Sequence, residues 1–145
     1  MSRQIKAWAV EAGFAEARIT RASLPAEAEQ RLAAWLAAGF HGEMEYMERH
    51  GALRLRPAEL VPGTLSVISL RMNYWPAARA AEQVLADPSR AYLSRYALGR
   101  DYHKVLRNRL QKLAERIEAA AGAFGYRVFT DSAPLAEVAL ASQAG

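Results

Sequence analysis

The chain has 145 residues, a formal net charge of +4, and 52% hydrophobic and 23% charged residues, a balance that fits one globular domain and excludes a disordered chain. It contains no cysteine and only three histidines, so disulfides, a thiol nucleophile and a self-contained metal site are not expected within it. The longest uncharged apolar stretch, residues 32–40, is far shorter than the ~20 residues of a membrane span; we expect a soluble, cytoplasmic protein with no membrane partner.

The hydrophobic pattern of the first half predicts helices around one short extended segment. Ser2 and Ser23 are residues that can cap helices, and Gly13 and Gly39 are typical of helix ends. The predicted elements are a helix over 2–12, an extended segment around 17–19, a helix over 25–38, a short helix over 44–49 and a loop with a turn at 62–63.

The second half contains the strongest signals for a strand and for a helix. Residues 64–74, TLSVISLRMNY, are apolar and β-branched on both faces, which is typical of a buried strand. Residues 102–121 carry one apolar face and form the longest predicted helix. The remaining predictions are helices over 77–86 and 89–100, a second strand, YRVFTD, over 126–131, and a helix that starts near 135.

Strands separated by helices predict an α+β fold with α/β layering, in which a small central sheet is flanked by helices. Two strands make a small sheet whose edges lack partners. We therefore expect residues 1–145 to be a single α/β domain of a longer chain, with a sheet that is incomplete without the rest.

Positive charge is concentrated in one segment. Residues 90–116 hold eight Lys and Arg against two acidic residues, whereas the rest of the chain holds eleven basic and thirteen acidic residues. Such a block suggests an anionic partner, although the solvated face of an amphipathic helix gives the same pattern. Asp101, Tyr102 and His103 follow Gly99 and Arg100 at the predicted helix start, a position where loops often carry function.

Asp131 lies in FTDSAP, directly after the predicted second strand. One interpretation is a helix cap, in which Asp131 or Ser132 accepts a backbone N–H of the next helix. The other is a carboxyl group at the end of a buried strand, where burial raises its pKa and lets it donate a proton near neutral pH. Local sequence leaves both open, and it likewise leaves Arg54 and Arg56 open between an anion anchor and solvated loop charges.

Several segments together resemble one family, the epoxyqueuosine reductases of queuosine biosynthesis. They are GFHGEMEYM, RPAELVPG, VISLRMNY, RYALGRDYHKVLRNRLQKL and FTDSAP followed by LAEVALASQAG. These segments occur in the family's order and span nearly the whole chain, and GRDYHKVLR and TDSAP are the most specific of them.

The resemblance implies an oxidoreductase that removes the epoxide oxygen of epoxyqueuosine at the wobble position of a tRNA anticodon. It implies cobalamin as cofactor, two 4Fe–4S clusters that deliver electrons from a reductant, and a monomer in the full-length form. Asp131 corresponds to the family's proton donor and also lies against the cofactor. Arg54, with Arg56 as the alternative, corresponds to a cobalamin contact, and Ser94, Tyr102 and His103 are further cofactor-binding candidates.

Family members continue beyond the resembling segments into cysteine-rich, cluster-binding parts. Iron–sulfur clusters need thiolate ligands and this chain has none, so we expect it to be the N-terminal portion of such a reductase and inactive alone. The alternative hypothesis is a non-catalytic RNA-binding or partner-docking domain that uses the basic helix.

Overall fold

Two antiparallel strands form the centre of the computed structural model, which describes residues 1–145. The elements in chain order are α1 (Ser2–Glu11), β1 (Glu16–Arg21), α2 (Ala26–Ala37), α3 (Glu45–His50), α4 (Pro57–Leu60), β2 (Ser66–Arg71), α5 (Ala81–Leu85), α6 (Tyr102–Ala121) and α7 (Glu137–Gln143), with 3₁₀ turns at Gly51–Leu55 and Arg95–Ala97. The predicted long helix over 102–121 is confirmed with the same bounds.

The register of the two strands divides the sheet into an apolar face and a polar face. Pairing runs from Glu16 opposite Arg71 to Arg21 opposite Ser66. Since successive side chains point to opposite faces of a strand, the apolar pairs Ala17–Leu70 and Ile19–Ile68 share one face. That face packs against the main hydrophobic core.

The core lies between this apolar face, α1 and α6. Its buried members come from all three elements and from the turn after α1: Ile5, Ala9, Phe14, Ala17, Leu113 and Ile117. Leu113 and Ile117 are four residues apart, so they lie on one side of α6, and Leu106 and Leu110 extend the same stripe. The basic residues of α6 are thereby left on its other sides.

Helix α7 covers the opposite face of the sheet. Leu140 is completely buried, and the Gln143 amide donates to Thr20 Oγ1 at 2.9 Å and to the Ser23 carbonyl at 3.0 Å. The layers are therefore α1 and α6, the sheet, and α7. This arrangement confirms the predicted α+β class with a small central sheet flanked by helices.

Three local predictions were wrong. Residues 126–131 form no strand, because no strand pairs with them and β-propensity alone does not supply a hydrogen-bonded ladder. Residues 89–100 contain only the 3₁₀ turn at Arg95–Ala97; a short helix needs an apolar face packed on the core, and the apolar side chains of this segment are exposed. The predicted loop before the turn at 62–63 contains the other 3₁₀ turn and α4.

None of the helices combines the length and the apolar character that crossing a membrane requires. Only ten of the 145 residues are buried, so the small core depends on a few contacts between its layers. Arg116 in α6 pairs with Glu11 in α1 at 2.6 Å, and its guanidinium lies 4.8 Å from the centre of the Trp8 ring. Arg109 in α6 donates to the carbonyl of Gly13 at 3.2 Å.

Gly13→Ala tests the contact between the α1 turn and α6. Gly13 has φ of +87°, and an added Cβ would lie 2.5 Å from Arg109 Nη1. We expect the free energy of unfolding to fall by about 1–2 kcal/mol from backbone strain, and by about 1 kcal/mol more from loss of the Arg109 hydrogen bond. Urea denaturation of both proteins measures the difference.

Gly39→Ala is the matched control, because Gly39 has φ of +68° and open space around its Cβ position. We expect it to show the backbone strain alone. Equal losses in the two variants would mean that Arg109 does not contribute to holding α1 against α6.

Candidate active site

The site is built at the start of α6. Asp101 is the N-cap of this helix, and its Oδ1 accepts the backbone N–H of His103 at 3.0 Å. The same oxygen lies 3.0 Å from Nδ1 of the His103 ring. Asp101 thus ends the loop, starts the helix and fixes the imidazole, because Asp is a favoured N-cap that can accept from side chains as well.

Tyr102 connects this helix start to the segment that contains Asp131. Its hydroxyl donates to Asp131 Oδ2 at 2.6 Å, a short distance typical of a hydrogen bond to a carboxylate. The Tyr102 ring stacks on the His103 ring, with centroids 4.0 Å apart, and meets Tyr96 edge to face at 5.9 Å. These contacts restrict the direction in which the hydroxyl points.

Asp131 lies in an irregular segment between α6 and α7, which corrects both structural interpretations of it. It neither ends a strand nor caps a helix, because residues 126–131 form no strand and the N-cap of α7 is Ala136. It is the only non-glycine residue with a positive φ, at 53°. Backbone strain of this kind is concentrated at functional sites. Its side chain is 53% exposed rather than buried.

Asp101, Tyr102, His103 and Asp131 therefore form one group, which we call the carboxylate cluster. Besides the contacts above, His103 Nε2 lies 3.8 Å from Asp131 Oδ2. A phenol, an imidazole and two carboxylates within contact distance can donate, accept and pass protons. The structure thus brings together three of the predicted site residues, Tyr102, His103 and Asp131.

Three groups in or beside the cluster have shifted pKa values. The hydrogen bond to the Asp131 carboxylate stabilises the neutral phenol and raises the pKa of Tyr102 to about 12. The hydrogen bond with His103 lowers the pKa of Asp101. Burial raises the pKa of Glu137, at the start of α7, and the negative charge of Asp131 adds to this effect.

Arg54 and Arg56 occupy different electrostatic surroundings. Arg56 pairs with Glu29 at 2.8 Å and with Glu59 at 3.3 Å, so carboxylates already neutralise it. Arg54 pairs with no carboxylate; its Nη2 donates to the carbonyl of Tyr46 at 2.7 Å, and its guanidinium lies 5.4 Å from the centre of the Tyr46 ring. Arg54 therefore retains an uncompensated positive charge.

Arg54 also borders the segment that follows Asp131. Its carbonyl accepts the backbone N–H of Ala136 at 2.8 Å. Two buried polar atoms in these two segments have no hydrogen-bond partner, Arg54 Nε and Thr130 Oγ1. Buried polar groups are almost always paired, so each of these two atoms is a candidate donor for a polar group from outside this chain.

Ser94 stands apart from the cluster. It is exposed and precedes the 3₁₀ turn Arg95–Ala97, and no hydrogen bond of the structure joins it to the cluster. Its connection to the cluster runs through Tyr96, whose ring contacts Tyr102.

Part of the basic block forms a polar surface along one side of α6, which we call the basic surface. Two shallow depressions lie there, and the residues that line both are Lys104, Asn108 and Lys112. Arg100 and Arg107 flank them. Because these side chains lie opposite the core stripe, the surface can contact an anionic partner without unfolding the helix.

The sequence singled out Asp101 at the helix start but not its capping of α6, and it gave no indication of Thr130. The capping role of Asp101 follows from its position before a helix start and could have been found. No local signal indicates that the Thr130 hydroxyl is buried without a partner, since that depends on how distant segments pack.

The sequence of this chain matches one known protein family. Residues 54–132 match the family described as Epoxyqueuosine reductase QueG, DUF1730. Over 145 residues the chain is 59% identical to the epoxyqueuosine reductase of Pseudomonas aeruginosa and 53% identical to that of Escherichia coli K12. The match includes all of this chain but 40% and 38% of those relatives. The chain belongs to the epoxyqueuosine reductase QueG family and spans about two fifths of the length of these relatives.

Solved structures share the fold at lower identity. The epoxyqueuosine reductase of Streptococcus thermophilus matches all of this chain and 38% of its own, with a TM-score of 0.77 at 23% identity. That of Bacillus subtilis, solved with its aspartate catalytic loop swung out of the active site, gives 0.77 at 21% identity over 99% of this chain and 37% of its own. A third, with an epoxyqueuosine-modified tRNA stem loop, gives 0.73 at 19% identity over 99% of this chain and 38% of its own.

The raised pKa of Tyr102 gives a direct test of its hydrogen bond. We expect its phenol to titrate near 12, and Asp131→Asn to lower this pKa toward the ordinary value of about 10, because the acceptor loses its charge. The hydrogen bond's contribution to stability is present below pH 10, the value for a free phenol, and is lost as the pH rises through about 12. NMR titration of ¹³Cζ-labelled tyrosine measures the pKa.

Asp87→Asn is the control, because it removes the same charge from a carboxylate that contacts Ser89 and Arg90 instead. This variant should leave the pKa of Tyr102 unchanged. A Tyr102 pKa that does not move in Asp131→Asn would rule out the hydrogen bond as its cause.

Proposed function

We propose that this chain is the N-terminal portion of an epoxyqueuosine reductase, which reduces epoxyqueuosine to queuosine at the wobble position of a tRNA anticodon. Membership in the family and the names of the relatives support this activity. The observation that carries the assignment of the site is the hydrogen bond between Tyr102 and Asp131. It orients one carboxylate oxygen and leaves the other free to face a substrate.

Asp131 acts as the proton donor in this proposal. Removal of an epoxide oxygen places negative charge on that oxygen as its bond to carbon breaks, and a positioned carboxylic acid can protonate it. The strained backbone at Asp131 and its exposed side chain suit a group that must reach a substrate. A loop that carries this residue would correspond to the aspartate catalytic loop of the Bacillus subtilis relative.

Cobalamin is the cofactor that we propose for the full-length protein. Arg54 and Thr130 would hold it, because their unpaired buried atoms, Arg54 Nε and Thr130 Oγ1, are donors that suit the amide and phosphate oxygens of a corrinoid. Ser94, Tyr102, His103 and Asp131 are the further contacts expected from the family. When bound, the corrinoid supplies the redox chemistry, while the side chains of this chain orient the substrate and handle its protons.

The electrons would arrive from a reductant through two 4Fe–4S clusters, whose thiolate ligands lie outside these 145 residues since the chain contains no cysteine. We therefore propose that the chain alone is inactive. From the family resemblance we also propose that the full-length protein is a cytoplasmic monomer.

The tRNA would bind across the basic surface of α6. Lys104, Arg107 and Lys112 can neutralise backbone phosphates and make binding depend on salt, whereas the modified base would be recognised unstacked, as single-stranded bases usually are. The same surface supports the alternative function, a non-catalytic RNA-binding or docking domain. The two differ in whether Asp131 matters for anything beyond folding.

Asp131→Asn in the full-length protein separates these functions. We expect turnover of epoxyqueuosine-containing tRNA to fall by roughly 10²–10⁴-fold, the usual contribution of a positioned proton donor. The affinity for tRNA should not change, because Asn keeps the size of the side chain. Single-turnover assays by mass spectrometry and a filter-binding assay give the two quantities. Normal turnover in this variant would exclude Asp131 as the donor and favour the alternative.

Arg54→Gln and Arg56→Gln in the full-length protein test the cofactor assignment. We expect Arg54→Gln to weaken cobalamin binding at least several-fold, because it removes the uncompensated charge. Arg56→Gln should leave binding nearly unchanged, because Glu29 and Glu59 already pair with Arg56. Absorbance titration with cob(II)alamin measures both affinities. The reverse order of effects would transfer the cofactor contact to Arg56.

A further inference from the structure

The proposed reaction consumes more protons per turnover than one carboxyl group can supply. This inference rests on the proposed function. When an epoxide loses its oxygen as water and becomes an alkene, the reaction consumes two electrons and two protons. A carboxylic acid stores one proton, so Asp131 must be reprotonated within each turnover or a second donor must act.

His103 is the residue placed to reload Asp131. Its Nε2 lies 3.8 Å from Asp131 Oδ2, so the two groups are neighbours, and the transfer requires them to approach to the roughly 2.7–3.2 Å of a hydrogen bond. The ring is 52% exposed, so it also contacts solvent, which is the source of protons. It therefore contacts solvent on one side and lies beside the Asp131 carboxylate on the other, which offers that carboxylate a proton donor in addition to water.

Asp101 fixes the orientation that this transfer requires. Its Oδ1 accepts from Nδ1 of His103 at 3.0 Å, which assigns one ring proton to Nδ1 and directs Nε2 toward Asp131. Tyr102 stacks on the other side of the ring at 4.0 Å and limits its rotation.

We propose that His103 is the proton relay of Asp131. The Nε2–H bond of the imidazolium breaks and an O–H bond forms at Asp131 Oδ2, the oxygen nearest to Nε2. Rotation of the carboxyl group then turns this proton toward the substrate, and the neutral ring takes a proton from solvent or a buffer acid at Nε2. No electrons move in this step; the two electrons of the reaction come from the reductant of the proposed function. His103 acts through Asp131 and does not itself touch the epoxide.

The charged surroundings of His103 are the members of the carboxylate cluster and the next residue of the helix. Asp101 and Asp131 face the ring on its two nitrogens, and the Tyr102 phenol lies against it with the neutral form favoured by its hydrogen bond to Asp131. Lys104 follows in the sequence and lines the basic surface.

Chemical rescue in the full-length protein tests the relay. We expect His103→Ala to lower steady-state turnover of epoxyqueuosine-containing tRNA roughly tenfold to hundredfold, and added imidazole to restore part of the loss in a concentration-dependent way. Rates are compared with the parent protein at each imidazole concentration, because imidazole can bind cobalt. His50→Ala, which changes a histidine outside the cluster, should show neither loss nor rescue.

Asp101→Asn is the second variant, because asparagine keeps the helix cap and removes the charge behind the ring. We expect a smaller loss of turnover, and no rescue by imidazole, since the imidazole of His103 is still present. Thermal melting and the corrinoid absorbance spectrum are recorded for every variant.

Three outcomes would overturn the relay. Unchanged turnover in His103→Ala would mean that Asp131 takes protons directly from water. A loss that imidazole does not restore, with an altered corrinoid spectrum or lower melting temperature, would assign His103 to cofactor binding or folding. An unrescued loss with normal spectrum and melting would also contradict it. Absence of turnover in the parent protein would instead contradict the proposed function.

Discussion

The hydrogen bond from Tyr102 to Asp131 is the interaction on which the site depends, because it holds the Asp131 carboxylate against the start of α6. Asp131 has no strand or helix of its own to position it. Its orientation comes from the first turn of α6, which Asp101 caps and which the core residues Leu113 and Ile117 anchor further along the same helix. The position of the Asp131 carboxylate thus depends on the packing of the core through one helix and one hydroxyl.

The fold divides the faces of α6 between stability and function. One face carries the apolar stripe that completes the small core, and the others carry Lys104, Arg107 and Lys112. The N-terminal end holds the carboxylate cluster. A single twenty-residue helix therefore supplies core packing, a positively charged surface and the groups that position Asp131.

The sequence alone predicts those parts of the fold whose signal is local. The period of the apolar residues gave α6 with its bounds, and the β-branched run gave β2. The strand predicted at 126–131 was wrong because strand formation requires a partner, which composition does not reveal. The same limit applies to the site: Asp131 stood out by its motif, but its hydrogen bond spans 29 residues, and only the fold joins the two segments. The sequence does not distinguish Arg54 from Arg56, whereas the structure does, because Glu29 pairs with Arg56.

The most direct measurement is the distance between the Asp131 carboxyl and the epoxide oxygen, in a crystal structure of the full-length protein bound to an epoxyqueuosine-containing RNA. We expect the two oxygens to lie within hydrogen-bonding reach, about 2.6–3.2 Å, while the Tyr102 hydroxyl still contacts the other carboxylate oxygen. An epoxide oxygen that contacts a different acid, with Asp131 directed away from it, would exclude Asp131 as the proton donor.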